Sequence, residues 1–133
     1  MPATLLLVDD NAIQAATRQA ILKRSGHLVL VSLTPERALE QLRNQQATAT
    51  PIDLLLTDHL MPGMDGVAFI TAVRGFAPTL PVLVISGMAE AEREYAALSV
   101  HFRVKPIPPP MLLATIEAIL NPLHPSMDSG LPG

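Results

Sequence analysis

Short apolar runs alternate along this chain with stretches whose apolar residues recur at helical spacing. Leu5, Leu6, Leu7 and Val8 form a run without polar interruption, the pattern of a strand buried on both faces. Residues 11–24 follow with Ile13, Ala16, Thr17, Ala20 and Ile21 at helical spacing, and Gly26 is a suitable stop. A second strand is predicted over 28–31. Thr34-Pro35-Glu36 opens a second helix, with a capping hydroxyl, a proline in the first turn and an acid near the positive end of the helix dipole; Ala38, Leu39 and Leu42 turn inward. Residues 44–51 are polar, end in proline and read as a loop. The third strand is predicted over 52–57, followed by the turn-rich Met61-Pro62-Gly63-Met64-Asp65-Gly66 and a helix over 67–74 with Val67, Ile70 and Val73 on one face. Pro81 opens a fourth strand over 82–85, residues 89–98 read as a short acidic helix, and the fifth strand covers 100–104. Prolines between 106 and 110 delay the last helix until Pro110 can occupy its first turn, after which Leu112, Leu113, Ile116, Ile119 and Leu120 form its apolar face.

Five strands alternating with five helices imply α/β architecture: one doubly wound parallel sheet with helices on both faces. The order 2-1-3-4-5 is the natural one at this length. Residues 1–121 form one domain in this reading, and 122–133, rich in proline, glycine and serine, form a flexible tail.

Composition narrows the function. The 133 residues are 49% hydrophobic but only 3% aromatic, with no tryptophan, so the core is aliphatic. A net charge of −3 without any basic block argues against direct nucleic-acid binding. The absence of cysteine excludes disulfides and thiolate metal sites. No signal peptide or bilayer-length apolar stretch is visible, and the expected location is the cytoplasm, away from membranes.

The chemistry lies just after the strands. The first predicted strand leads into Asp9-Asp10, the third into Asp58, the fourth into Ser86-Gly87 and the fifth into Lys105-Pro106. Parallel strands place all these ends on one edge, and in the order 2-1-3 the first and third strands are neighbours at the switch point where ligands bind. Asp9, Asp10 and Asp58 would then meet. Three converging carboxylates repel unless a divalent cation neutralises them, and an all-oxygen set suits Mg2+ or Mn2+. A carboxylate can also accept a phosphoryl group as an aspartyl phosphate, with Lys105 and Ser86 supplying a cation and a hydroxyl. Taken singly these residues are ordinary: Asp9-Asp10 suits a turn and helix cap, Ser86 a turn and Lys105 a solvated surface.

The runs Leu5-Leu6-Leu7-Val8-Asp9-Asp10-Asn11, Leu55-Leu56-Thr57-Asp58-His59-Leu60-Met61-Pro62-Gly63-Met64-Asp65-Gly66, Val84-Ile85-Ser86-Gly87 and Val104-Lys105-Pro106 resemble the response-regulator receiver family of two-component signalling, over about residues 4 to 121. The resemblance implies that Asp58 is the phosphoacceptor and that Asp10 binds the metal directly, with Asp9 acting through water. It implies the backbone carbonyl of Leu60 as a further ligand, Ser86 as the switch hydroxyl, Lys105 as the phosphoryl-contacting cation and Phe102 at the switch-aromatic position. Leu60 and Met88 fall where family side chains tune dephosphorylation, and both being apolar implies slow loss of the phosphoryl group. A cis Lys105–Pro106 bond is typical of the family. Receivers take the phosphoryl group from a histidine kinase or phosphotransfer protein and signal through conformation. The output partner is not named by the sequence, and homodimerisation would use the face of the fourth and fifth helices.

Departures from the family pattern concentrate on that face. The stretch between Ser86 and Lys105 is roughly one helical turn short, and Leu98-Ser99-Val100 replaces the usual Gly-Ala. Phe102 is expected as a packed ring, and His27, His59, His101 and His124 as ordinary surface or packing residues, with His59 in a solvated loop. Two other readings share the scaffold. An aspartyl-nucleophile phosphatase would want a second acid where Leu60 stands, and an interaction-only receiver would not need all the site residues.

Overall fold

The computed structural model describes residues 3–44, 51–59, 61 and 63–121. The elements are β1 (Thr4–Val8), α1 (Ala12–Arg24), β2 (Leu28–Ser32), α2 (Pro35–Asn44), β3 (Leu54–Asp58), α3 (Gly66–Phe76), β4 (Val82–Ser86), a 3-10 helix (Ala89–Tyr95), β5 (His101–Val104) and α4 (Pro109–Leu120). The five strands form one sheet in the order β2-β1-β3-β4-β5, every pairing is parallel, and this is the expected doubly wound topology.

The central strands β1, β3 and β4 are buried along their whole length. Successive side chains point to opposite faces, so an uninterrupted apolar run feeds two cores at once. Leu6, Val8, Leu55, Val82 and Val84 pack under α2, α3 and the 3-10 helix. Leu5, Leu7, Leu54, Leu56, Leu83 and Ile85 pack under α1 and α4. Thr34 caps α2, its hydroxyl accepting from Arg37 N–H at 3.2 Å, and Ala38, Leu39 and Leu42 are buried as predicted. Gly26 takes φ +92°, the left-handed stop expected after α1. The Lys105–Pro106 peptide is cis, as expected.

Three expectations about local structure need correction. The apolar stripe predicted for α1 is not its buried face: Ala15 and Leu22 face the sheet, while Ile13 is 81% exposed and Ala16, Thr17 and Ala20 are also exposed. The inward face carries polar residues because they have partners there. Gln19 donates to the Val29 carbonyl at 3.0 Å, and Gln14 and Arg18 reach the carboxylate rim. Second, the acidic segment after β4 is not an α-helix but a seven-residue 3-10 helix ending in turns. Third, β3 and β5 begin later than predicted, at Leu54 and His101. The predicted loop residues 45–50 and the predicted tail, 122–133, lie outside the described residues.

Arg74 explains how so short a segment stays in place. Its Nε donates to Leu98 O at 2.8 Å, its Nη1 to Ala77 O at 3.0 Å and Leu80 O at 2.7 Å, and its Nη2 to Ser99 O at 3.1 Å. One guanidinium thus ties the loop before β4 to the loop before β5. Ser99 itself sits at φ +56°, a left-handed conformation rare outside glycine.

Candidate functional site: a carboxylate cluster at the C-terminal sheet edge

β1 and β3 are hydrogen-bonded neighbours, with Val8 opposite Thr57. Their ends therefore deliver Asp9-Asp10 and Asp58 to one crevice. One carboxylate oxygen from each of the three lies within 4.8 Å of the others. Asp9 and Asp58 are buried and Asp10 is exposed. Lys105, the residue after β5, brings a cation to the three carboxylates: its Nζ stands 3.0 Å from Asp58 Oδ1. The donor set, all carboxylate oxygen with one exposed ligand open to water, fits a divalent cation such as Mg2+.

Asp9 is held in place by the start of α1. Its Oδ1 accepts from Asn11 N–H at 2.9 Å and its Oδ2 from the Gln14 side-chain amide at 2.8 Å. Asn11 meanwhile caps the helix through Gln14 N–H at 3.0 Å. Burial above all, then the hydrogen bond and charge of Asp58, push the Asp9 carboxyl up from 3.8 to about 6, against the lowering effects of Asn11 N–H and Arg18. Folding therefore favours the protonated acid, and the folded state binds more protons than the unfolded chain between those two values. Stability of the metal-free protein should fall as the pH rises through that window, with the loss complete above about 6. Asp9→Asn should flatten this slope. Thermal melts in a chelator across that range check the point, and an equal slope in wild type and variant would refute it.

The Ser86 hydroxyl is buried but turned to its own loop, accepting from Met88 N–H at 2.9 Å and lying 3.4 Å from Met88 O. Phe102 is buried as a packed ring, its centroid 5.9 Å from that of Tyr95. Met88 is partly exposed at the rim. Leu60 lies outside the described residues, as does His124.

Two features escaped sequence reasoning. Arg18 projects from α1 into the crevice, its Nη1 lying 3.4 Å from both Asp9 Oδ2 and Asp58 Oδ1. The Gln14–Arg18 pair at i, i+4 was the available signal, since both lie on one helix face with the Asn11 cap. The other is a correction. His59, expected in a solvated loop, is buried, and its Nδ1 shares a 2.6 Å hydrogen bond with the Tyr95 hydroxyl. Burial, with Asp65 and Glu94 nearby, raises the Tyr95 pKa and keeps the phenol neutral. The contact fills the space over Gly66, where an added Cβ would overlap the Tyr95 hydroxyl and come within 2.9 Å of His59 O. His27 is also buried, accepting from Ala3 N–H at 3.1 Å, a packing role as expected; His101 is exposed.

The geometry has close counterparts. The sequence profile of the response regulator receiver domain matches residues 5–117. The transcriptional regulatory protein ZraR of Escherichia coli is 32% identical over 131 residues, covering 96% of this chain and 28% of its own length. PrrA of Mycobacterium leprae, also a transcriptional regulatory protein, is 33% identical over 120 residues, covering 88% of this chain and 49% of its own. This chain thus spans less than half of either relative. The chemotaxis protein CheY4 of Vibrio cholerae superposes with a TM-score of 0.79 at 27% identity, covering 90% of this chain and all of that one. Sequence match, sheet order and the converging aspartates agree: the chain belongs to the response regulator receiver domain family.

Proposed function

We propose that Asp58 accepts a phosphoryl group from a histidine kinase or histidine phosphotransfer protein, in a reaction that needs Mg2+ or Mn2+, and that the chain signals by the conformational change that follows. One observation carries this reading: Lys105 Nζ lies 3.0 Å from an oxygen of Asp58, inside a three-carboxylate cluster. In the transfer, an Asp58 carboxylate oxygen forms a bond to phosphorus while the P–N bond of the phosphohistidine breaks. The electron pair stays on the departing imidazole, which takes up a proton. Lys105 meets the charge on the phosphoryl oxygens. Asp9, Asp10 and Asp58 would hold the cation, Asp10 directly and Asp9 through water, with the Leu60 carbonyl as a further ligand. When bound, that cation neutralises the carboxylates and the transferring oxygens.

Ser86 must leave the Met88 backbone to reach the phosphoryl group, which couples the site to the 3-10 helix and β5, the proposed output face. Phe102 behaves in this reading as packing rather than as a free switch. The chain works in the cytoplasm as a signalling component, catalysing only its own phosphorylation and dephosphorylation. No described helix is long and apolar enough to cross a membrane.

Incubation with acetyl phosphate and Mg2+ tests the proposal. The expected product is one hydroxylamine-labile phosphoryl group on Asp58, persisting for minutes or longer because Leu60 and Met88 give hydrolytic water no polar help. Continuous turnover would indicate a phosphatase instead, and absence of an adduct an interaction-only domain. Loss of the adduct within seconds would refute the role given to Leu60 and Met88.

A further inference from the structure

We infer that Arg18 is a built-in counter-cation of the carboxylate cluster, which competes with the divalent ion for Asp9 and Asp58 and so raises the metal concentration needed to load the site. The inference rests on the reading of the cluster as a metal site. Its basis is the placement of one guanidinium nitrogen at 3.4 Å from Asp9 Oδ2 and at 3.4 Å from Asp58 Oδ1, with a side chain only 12% exposed. Those two carboxylates are the buried members of the cluster. A cation entering between them meets a charge of its own sign already lodged against the same two groups. With every group ionised, the three aspartates and Lys105 leave two net negative charges; Arg18 reduces this to one.

The surroundings make Arg18 displaceable rather than structural. Gln14 and Asn11 hold Asp9 without its help, and Lys105 holds Asp58 at a shorter distance, 3.0 Å. Both bonds from Arg18 are long for a charge-assisted pair. Beside the crevice lies a groove of about 410 Å³ lined by Arg18 and Lys105 together with Ile21, Pro106, Ile107 and Leu112. The groove can receive a displaced guanidinium, the aliphatic stem then lying on apolar side chains with the head in water. A guanidinium displaced by the cation thus has somewhere to go.

The test is direct Mn2+ binding to the full chain, read from the electron paramagnetic resonance signal of free Mn2+. Wild type, Arg18→Met, Arg18→Lys and Asp58→Asn are compared. Removing a charge a few ångströms from a divalent ion should tighten binding on the order of tenfold, so Arg18→Met is expected to bind Mn2+ about tenfold more tightly. Arg18→Lys, which keeps the charge, should stay closer to wild type than Arg18→Met does. A merely structural arginine predicts the opposite sign, because a loosened site binds metal less well. Arg18→Met binding Mn2+ as weakly as wild type, or more weakly, would overturn the inference. If Arg18→Met fails to fold by circular dichroism, Arg18→Gln serves under the same criterion. Failure of both wild type and Arg18→Met to bind Mn2+, or an Asp58→Asn variant that binds it as well as wild type, would instead sink the metal-site reading itself.

Discussion

Asp58→Asn should take up no detectable phosphoryl group from acetyl phosphate, and should lose most of the thermal stabilisation that Mg2+ gives the wild type. The amide keeps the shape of the carboxylate but is neither a nucleophile nor an anionic ligand. Neither neighbouring aspartate can stand in. The oxygens of Asp9 are occupied by Asn11 N–H, the Gln14 amide and Arg18, and its burial favours the protonated acid. Asp10 is exposed, and the Lys105 ion pair is with Asp58. Intact-mass measurement after labelling, with melts in Mg2+ and in chelator, checks both halves. A persistent adduct on the variant would move the phosphoacceptor elsewhere.

Arg74→Ala should cost about 3 kcal/mol of folding stability without touching the carboxylate cluster. Four carbonyls, of Leu98, Ala77, Leu80 and Ser99, lose a charged donor together. Part of the site faces solvent, so water replaces some of the lost bonds and keeps the cost below that of a fully buried network. Burial already lowers the Arg74 pKa, the mark of a guanidinium drawn out of water to serve its partners. Lysine should rescue little, since one ammonium cannot fan out to carbonyls on two separate loops. Urea unfolding gives the loss, and acetyl phosphate labelling of the folded variant should be unchanged. A loss under about 1 kcal/mol would mean that water substitutes for the whole brace.

The sheet order and the rim chemistry were legible because they rest on strong, redundant signals. Leu5 to Val8 has no polar interruption, and aspartates follow it at once, so strand position and site position come from the same few residues. The face of α1 was not legible. Its alanines and threonine carry little hydrophobic contrast, and its inward side is set by where Gln14, Arg18 and Gln19 find partners, contacts that periodicity does not encode. The 3-10 helix was missed for a related reason. Glu90, Glu92 and Glu94 are exposed, as suits the short acidic helix predicted there, but the tighter winding follows from the chain between Ser86 and Lys105 being short. The missing Gly-Ala before β5 did mark the right place: Ser99 there adopts the left-handed conformation that glycine would take freely. His59 was misjudged because its burial depends on Tyr95, thirty-six positions away.

That tyrosine has a practical consequence. The chain contains one tyrosine and no tryptophan, and the sole phenol is buried against His59, the residue that follows Asp58. Ultraviolet emission near the phenol band therefore comes from a single, known location between His59 and Phe102. The protein carries its own optical reporter, and a change there can be followed in real time without any attached dye.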